Sequence, residues 1–516
     1  MTASDPQQRD RDVFTLVYAI FTAGLCSIIY ELLIATAVVY FRGDSVFYFS
    51  LTIGLYMAAM GAGAYLSKFL RRDLIERMIA AEILLGLLGG LSAPLIYLAY
   101  LNDAAFIPVY SALTLIIGLL IGLETPLLTR ILETYDGLRV GIAHVLSLDY
   151  LGALAATVAF PLLLLPLFGT FRTSLLFGLI NMSIAGLLAW RFGPRLPAGR
   201  RPHYRRAAWG ATLLIIAGLA SAHWLLALWN QSAYSDRIVH AERTRFQEVV
   251  LTRHRNDLRL YLNGALQFSA IDEYRYHEAL IHLPMARLAA SRPGPWRVLV
   301  LGGGDGLAVR ELLRYTQIAR IDLIDLDERV LELARENPHI RALNGDSLRD
   351  KRAHVQVGDA MSYLNARGQL YDLIVADLPD PSSTDVARLY SDAFHHLVKA
   401  NLAPGGVFVT QATSPFYARA AFWTIHNTVR SVFGSAIPYH LNVPSFGEWG
   451  FVMAGGAEVE WTSLTWPGLR YLRPEMATGL LTFGGDIDDP GDLGISTIDR
   501  PTVLERYQSG WRYWSD

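Results

Sequence analysis

Four aspartates of this 516-residue chain each follow a short apolar run that reads as a buried strand. Asp305 comes after 298–301, Asp325 after 321–324, Asp359 after 354–357 and Asp377 after 373–376. Aspartates at such places serve as ordinary helix caps, which explains one or two of them easily and four in succession poorly. The first run breaks into Gly302-Gly-Gly-Asp-Gly306 before a helix-like pattern (Leu307, Val309, Leu312, Leu313) begins. Glycines let the backbone approach a ligand closely. A carboxylate in that turn repels a phosphate and suits a cation, such as a sulfonium nucleoside bearing an amine. Gly302-x-Gly304-x-x-Leu307 also lacks the third glycine of the dinucleotide fingerprint. A carboxylate at the second strand end can accept both ribose hydroxyls, and one at the third can take an adenine amino group. Asp377-Leu-Pro-Asp380-Pro381 sets two carboxylates on a stiff loop, able to hold an ammonium or take its proton. No His/Cys cluster suggests a metal, and there is no Gly-x-Ser-x-Gly or Walker loop.

The elements that must position these groups alternate. With a fifth run at 407–411, strands and helical patterns predict a parallel α/β sheet whose carboxyl edge binds the ligand. Ahead of it, 246–251 and 258–262 read as a β-hairpin, followed by a helix from Asp272-Glu-Tyr-Arg-Tyr-His-Glu278 to Ala290. The expected organisation is a helical membrane domain at 1–230, a small β region at 231–290 and a Rossmann-like domain at 291–455. An extension at 456–516 has no assigned role and ends in the aromatic stretch Trp511-Arg-Tyr-Trp514.

The membrane expectation rests on composition. Hydrophobic residues make up 52% and charged ones 18%, too apolar for one soluble globule. Seven segments are long enough to span a bilayer, at about 13–39, 45–66, 78–100, 105–128, 142–167, 174–190 and 208–229. Glu31, Glu82, Glu124 and Asp149 sit in or near them, where ionisable groups are costly and face a bundle interior or an aqueous cavity. Basic residues favour one set of flanks, which carries Arg9, Arg11, Lys68, Arg71, Arg72, Arg130 and Arg139. That bias puts the N-terminus in the cytoplasm and, with seven spans, the C-terminal half outside. A net charge of -2 offers no large basic surface for nucleic acid, and the single Cys26 cannot form an internal disulfide.

Between about 244 and 454 the chain resembles the polyamine aminopropyltransferases, typified by spermidine synthase. The likeness is carried by Gln247, Tyr276-His277-Glu278, Gly302-Gly-Gly-Asp-Gly306, Asp325-x-Asp327, Gly358-Asp359, Asp377-x-x-Asp380-Pro381, Leu389-Tyr390-Ser391 and Gly447-Glu-Trp-Gly-Phe451. The apolar half, with Leu148-Asp-Tyr-Leu-Gly152, resembles the multi-span version of the family. The resemblance implies a methyltransferase-like Rossmann fold and no permanently bound cofactor. It implies decarboxylated S-adenosylmethionine as co-substrate and putrescine as acceptor, yielding spermidine and 5′-methylthioadenosine. By carry-over, Asp377 accepts the amine's proton and Tyr276 orients the amine. Gln247, Gly302, Gly304, Asp325, Asp359 and Ala360 hold the nucleoside, and His277, Asp305 and Asp380 line the amine channel. Two departures matter: the family has glutamate at Asp325, and Val443-Pro-Ser-Phe446 lacks the acceptor-pocket tyrosine of soluble members. A lipid-headgroup acceptor, a polyamine sensor coupled to a transporter-like bundle, and methyl transfer are the alternatives. Asp305 argues against the last. A cell-membrane location follows, with the donor's cytoplasmic origin opposing the basic-residue bias on the side; a homo-oligomer is compatible with all of this.

Overall fold

The computed structural model describes residues 6–42, 45–136, 138–195, 200–366, 368–461, 466–491 and 493–515. It forms two compact units, Met1–Ala233 and Tyr234–Asp516.

The first unit is helical. Among the described residues, six helices are long and apolar enough to cross a membrane. The fifth, Val145–Phe192, runs for 48 residues and takes in two of the seven expected segments. It is interrupted at Gly169, whose φ of +67° and ψ of 179° are not helical. Only glycine adopts such a backbone without cost. Small residues bring backbones together. A Cβ on Gly63 would lie 2.2 Å from the Leu119 carbonyl oxygen, and one on Gly122 would lie 2.1 Å from that of Met60. Glu82 and Glu124 are buried. Asn181 donates to Glu82 Oε2 at 2.7 Å and accepts from the Tyr30 hydroxyl at 3.0 Å. Glu31 and Asp149 are half-buried.

The second unit holds two sheets. β1 (Arg237–Arg243), β2 (Glu248–His254), β3 (Asp257–Leu262) and β4 (Ala265–Ser269) form an antiparallel meander in chain order. The expected hairpin is its centre. Asn263 and Gly264, both at positive φ, make the tight turn into β4.

The larger sheet has β5 (Trp296–Gly302), β6 (Ile318–Asp325), β7 (Ala353–Val357), β8 (Tyr371–Asp377), β9 (Leu402–Gln411), β10 (Ile437–Val443) and β11 (Gly447–Gly455). Their order is β10-β11-β9-β8-β5-β6-β7. The five expected strands, β5 to β9, are mutually parallel. The expectation of a parallel sheet needs one correction: β11 is antiparallel to both β9 and β10, so the sheet is mixed. From β5 the chain winds outward through β6 and β7, then returns to β8 on the other side. The switch point therefore lies between β5 and β8, where such sheets open a crevice. The helix Glu273–Ser291 packs against β8, β9 and β10. One core joins the sheets, with Leu251 and Leu260 of the meander clustered with Val298 and Val300 of β5.

Candidate active site

β5 and β8 meet in register with Gly302 opposite Asp377. Gly302 has φ +79°, and a Cβ there would lie 2.1 Å from the Asp377 carbonyl oxygen. A Cβ on Gly304 would lie 2.5 Å from Asp325 Oδ2. The turn is thus pressed between two of the expected carboxylates. Asp325 accepts from the Gly304 N–H at 3.0 Å and from the Asp327 N–H at 2.9 Å. Asp305 Oδ1 accepts from the Leu307 N–H at 2.9 Å. Burial pushes both Asp305 and Asp325 up to about 6, against the lowering effect of these hydrogen bonds.

The helix Glu273–Ser291 supplies the next groups. The Tyr276 hydroxyl donates to Asp377 Oδ1 at 2.7 Å. Burial and the Asp377 charge hold that phenol well above its ordinary range, so it remains a donor. Burial also raises the Asp377 carboxyl, with His277 and Tyr276 opposing it. His277 is buried, with Nδ1 2.9 Å from Glu273 Oε2. Arg310 grips Glu273 through two nitrogens at 2.9 and 3.0 Å. Burial opposes charge on His277, but Glu273, Asp305 and Asp377 outweigh it and push the imidazole up to about 9. Glu273 gave no separate signal in the sequence; its value is the i,i+4 spacing to His277.

Asp380 lies three residues past the end of β8. Its Oδ1 accepts from Gln411 Nε2 at 3.2 Å and its Oδ2 from Thr413 Oγ1 at 3.4 Å, both residues being at or just past the end of β9. Burial pushes Asp380 up to about 6, while the hydrogen bonds from Gln411 and Thr413, with Tyr507, pull the other way. Thr413 has φ +60°. A β-branched residue there carries strain of about 1–3 kcal/mol. The Gly450 N–H, donating to the Thr413 carbonyl at 2.8 Å, helps hold it. Neither Gln411 nor Thr413 stood out as a site residue in the sequence.

The remaining expected residues lie along the β6 and β7 ends. Gln247 Nε2 donates to Asp327 Oδ2 at 3.1 Å. Asp327 also caps the following helix through the Arg329 N–H. Asp359 caps the helix that Ala360 begins, accepting from the Ser362 N–H at 2.8 Å, and its other oxygen pairs with Arg388. Burial would raise Asp359, but the Ser362 hydrogen bonds and Arg388 hold it below the usual carboxylate range. A ligand at Asp359 must compete with these partners. Among the described residues no group of three or more His, Cys, Asp or Glu is placed to hold a metal.

The arrangement gathers Glu273, Asp305 and Asp377 around one buried imidazole, His277. Carboxyls pushed up by burial regain their charge when a cationic ligand arrives. The sign for pH is definite. Unfolded, these carboxyls titrate near about 3.9; folded, Asp305, Asp325 and Asp380 titrate at about 6. The stability they contribute is complete below about pH 4 and is lost as pH rises through about 6. A bound ammonium reverses that preference. Affinity for a diamine is therefore expected to fall below about pH 6, by about tenfold per unit for each carboxylate that must ionise. Isotherms from pH 5 to 8 check this, and a flat profile would separate these carboxylates from the ligand.

Residues 273–461 match the family model described as the spermine/spermidine synthase domain. Across nearly its whole length the chain is similar to curated proteins named polyamine aminopropyltransferase. That of Leptospira interrogans is 36% identical over 497 residues, covering 96% of this chain and 98% of the relative. That of Mycobacterium tuberculosis is 38% identical over 516 residues, covering 96% of each. A crystal structure of spermidine synthase in complex with the transition state analogue AdoDATO aligns with 48% of this chain and 86% of its own, at 23% identity and a TM-score of 0.44.

Proposed function

We propose that this chain, which belongs to the polyamine aminopropyltransferase family, transfers the aminopropyl group of decarboxylated S-adenosylmethionine to putrescine. The amine nitrogen attacks the aminopropyl carbon beside the sulfonium. The carbon–sulfur bond breaks, its electron pair returns to sulfur, and 5′-methylthioadenosine leaves as spermidine forms. Asp377 takes the proton that the attacking amine sheds, and Tyr276 fixes the orientation of that carboxylate. Asp305 and Asp380 hold ammonium groups, while the 302–304 turn, Asp325, Gln247, Asp359 and Ala360 surround the nucleoside. The observation that carries this reading is the 2.7 Å bond from Tyr276 to Asp377, made beside the glycine turn at the switch point. The test is transfer of labelled aminopropyl from the donor to an acceptor panel of putrescine, longer amines and an ethanolamine-headed lipid. Labelled spermidine is the expected product. Label in the lipid alone would replace putrescine as acceptor, and label in none would overturn the reading.

The helical unit belongs, in this proposal, in a bilayer. Its exposed side chains include Leu162, Leu167, Trp190 and Leu213, while Glu82 and Glu124 are inside. A 48-residue helix would be about 72 Å long, far more than the roughly 30 Å of a hydrocarbon core. The break at Gly169 divides it into two crossings, giving seven in all. Basic flanks then favour the outside for the catalytic unit, whereas a donor made in the cytoplasm favours the inside. Trypsin access to Arg253 in sealed inverted vesicles decides between them: protection there rules out a cytoplasmic catalytic unit, and cleavage there rules out an external one.

A further inference from the structure

Arg310 stands on the short helix Leu307–Leu312 that the glycine turn opens. Its guanidinium carries five N–H donors in a rigid fork, and hydrogen bonds run from all three nitrogens. Nη1 donates to Glu273 Oε1 and to the Leu343 carbonyl, both at 2.9 Å. Nη2 donates to Glu273 Oε2 at 3.0 Å, and Nε to Glu311 Oε1 at 2.9 Å. Both glutamates are buried. Beyond Glu273 stands His277, whose Nδ1 lies 2.9 Å from Glu273 Oε2 and 2.8 Å from the Glu273 carbonyl oxygen. A carbonyl oxygen only accepts, so Nδ1 carries a proton and Nε2 lies on the opposite edge of the ring. That ring packs edge to face on Tyr276, with centroids 4.9 Å apart and planes 72° apart. The imidazole is therefore one ring away from the phenol that donates to Asp377.

An ion pair taken out of water is costly, and apolar residues of the same volume often hold two helices together as well. What apolar residues cannot do is hold a ring by one nitrogen. We propose that Arg310 is a positioning residue for the amine acceptor: it holds Glu273, Glu273 holds His277 by Nδ1, and the ring edge carrying Nε2 is thereby set toward the amine. The helix Glu273–Ser291 is then fastened to the glycine turn's own helix through one side chain. The inference rests on the proposed amine transfer, with His277 lining the amine channel.

Arg310→Lys keeps the charge and loses the fork, so one ammonium cannot reproduce the grip on both Glu273 oxygens. The expected result is a rise in KM for putrescine of about tenfold, the scale of a hydrogen bond to a charged group. kcat and donor affinity should stay within about twofold. In a His277→Ala background Arg310→Lys should add nothing further. Arg314→Met is the control for loosening alone: it removes the 2.9 Å pair with Glu311 without touching Glu273, and should leave KM in place. Glu273→Gln reads the next link by nuclear magnetic resonance of the labelled imidazole. Losing the carboxylate charge should lower the His277 midpoint from about 9, though not fully to the ordinary value, since Asp305 and Asp377 still favour the charged ring. Four results would overturn the inference: an unmoved KM in Arg310→Lys, an undiminished effect in the His277→Ala background, an equal rise in Arg314→Met, or an unshifted midpoint in Glu273→Gln. An Arg310→Lys chain that cannot fold would make Arg310 a scaffold residue and overturn it too. Wild-type protein that transfers no aminopropyl group would instead refute the proposed reaction. Putrescine titration of the wild type and Arg310→Lys would then still read the link to His277.

Discussion

Asp377→Asn is expected to lower turnover by about 10²–10⁴-fold, the range a positioned general base supplies. The amine reaches the enzyme protonated and must lose that proton to attack. Asp377 ends β8 against the glycine turn, and its Oδ1 accepts from Tyr276 at 2.7 Å. Asparagine has nearly the same shape and retains an oxygen for Tyr276, but it accepts no proton. Nucleoside affinity should therefore stay within a few-fold while the chemical step collapses. Single-turnover rates and nucleoside titration separate the two. Near-normal turnover would remove Asp377 from the reaction and favour a sensor role for the site.

Asp305 is expected to make the enzyme discriminate strongly between donors. Ordinary S-adenosylmethionine carries a carboxylate that the decarboxylated donor lacks. In the proposed pose the chain's ammonium lies near Asp305 and Asp377, two groups already close enough for Asp377 to raise Asp305. A third negative group at about 4 Å, with an effective dielectric near 20, costs roughly 4 kcal/mol per contact before relaxation. Even a quarter of that is about fivefold in affinity. The decarboxylated donor gains charge-assisted hydrogen bonds instead. Asp305→Asn should narrow the gap. Equal affinity of both nucleosides for the wild-type protein would sink this assignment and revive methyl transfer.

Much of this site was legible because buried parallel strands read as unbroken apolar runs. Val298, Leu299, Val300 and Leu301 are all fully buried, and the glycines and aspartates after such runs mark the carboxyl edge. The charged β1, Arg237–Arg243, gave no such signal, since its residues are alternately exposed and only partly buried. β10 contains Pro438, which argues against a central strand and fits the edge position it occupies. The β9–β11 pairing is antiparallel and set by contacts distant in sequence. The break at Gly169 falls in the gap between the expected segments 142–167 and 174–190, and its dihedral angles show which residue makes it. The contacts of the C-terminal helix with 382 and 417 were invisible because nothing local in an aromatic tail says which loop it will meet. The left-handed Thr413 was hidden for a similar reason: that conformation runs against its own preference and is imposed by neighbours.

The sheet order has a kinetic corollary. The bond between Tyr276 and Asp377 spans 101 residues, and that between Gln247 and Asp327 spans 80. Winding outward from β5 and returning to β8 makes such separations unavoidable. The entropy of closing these loops is lost before the contacts give anything back. Helices and the local meander can form early, whereas the reacting groups converge only when β8 docks beside β5. A half-folded chain therefore holds secondary structure but no centre, and the catalytic constellation belongs to the late, non-local part of the folding reaction.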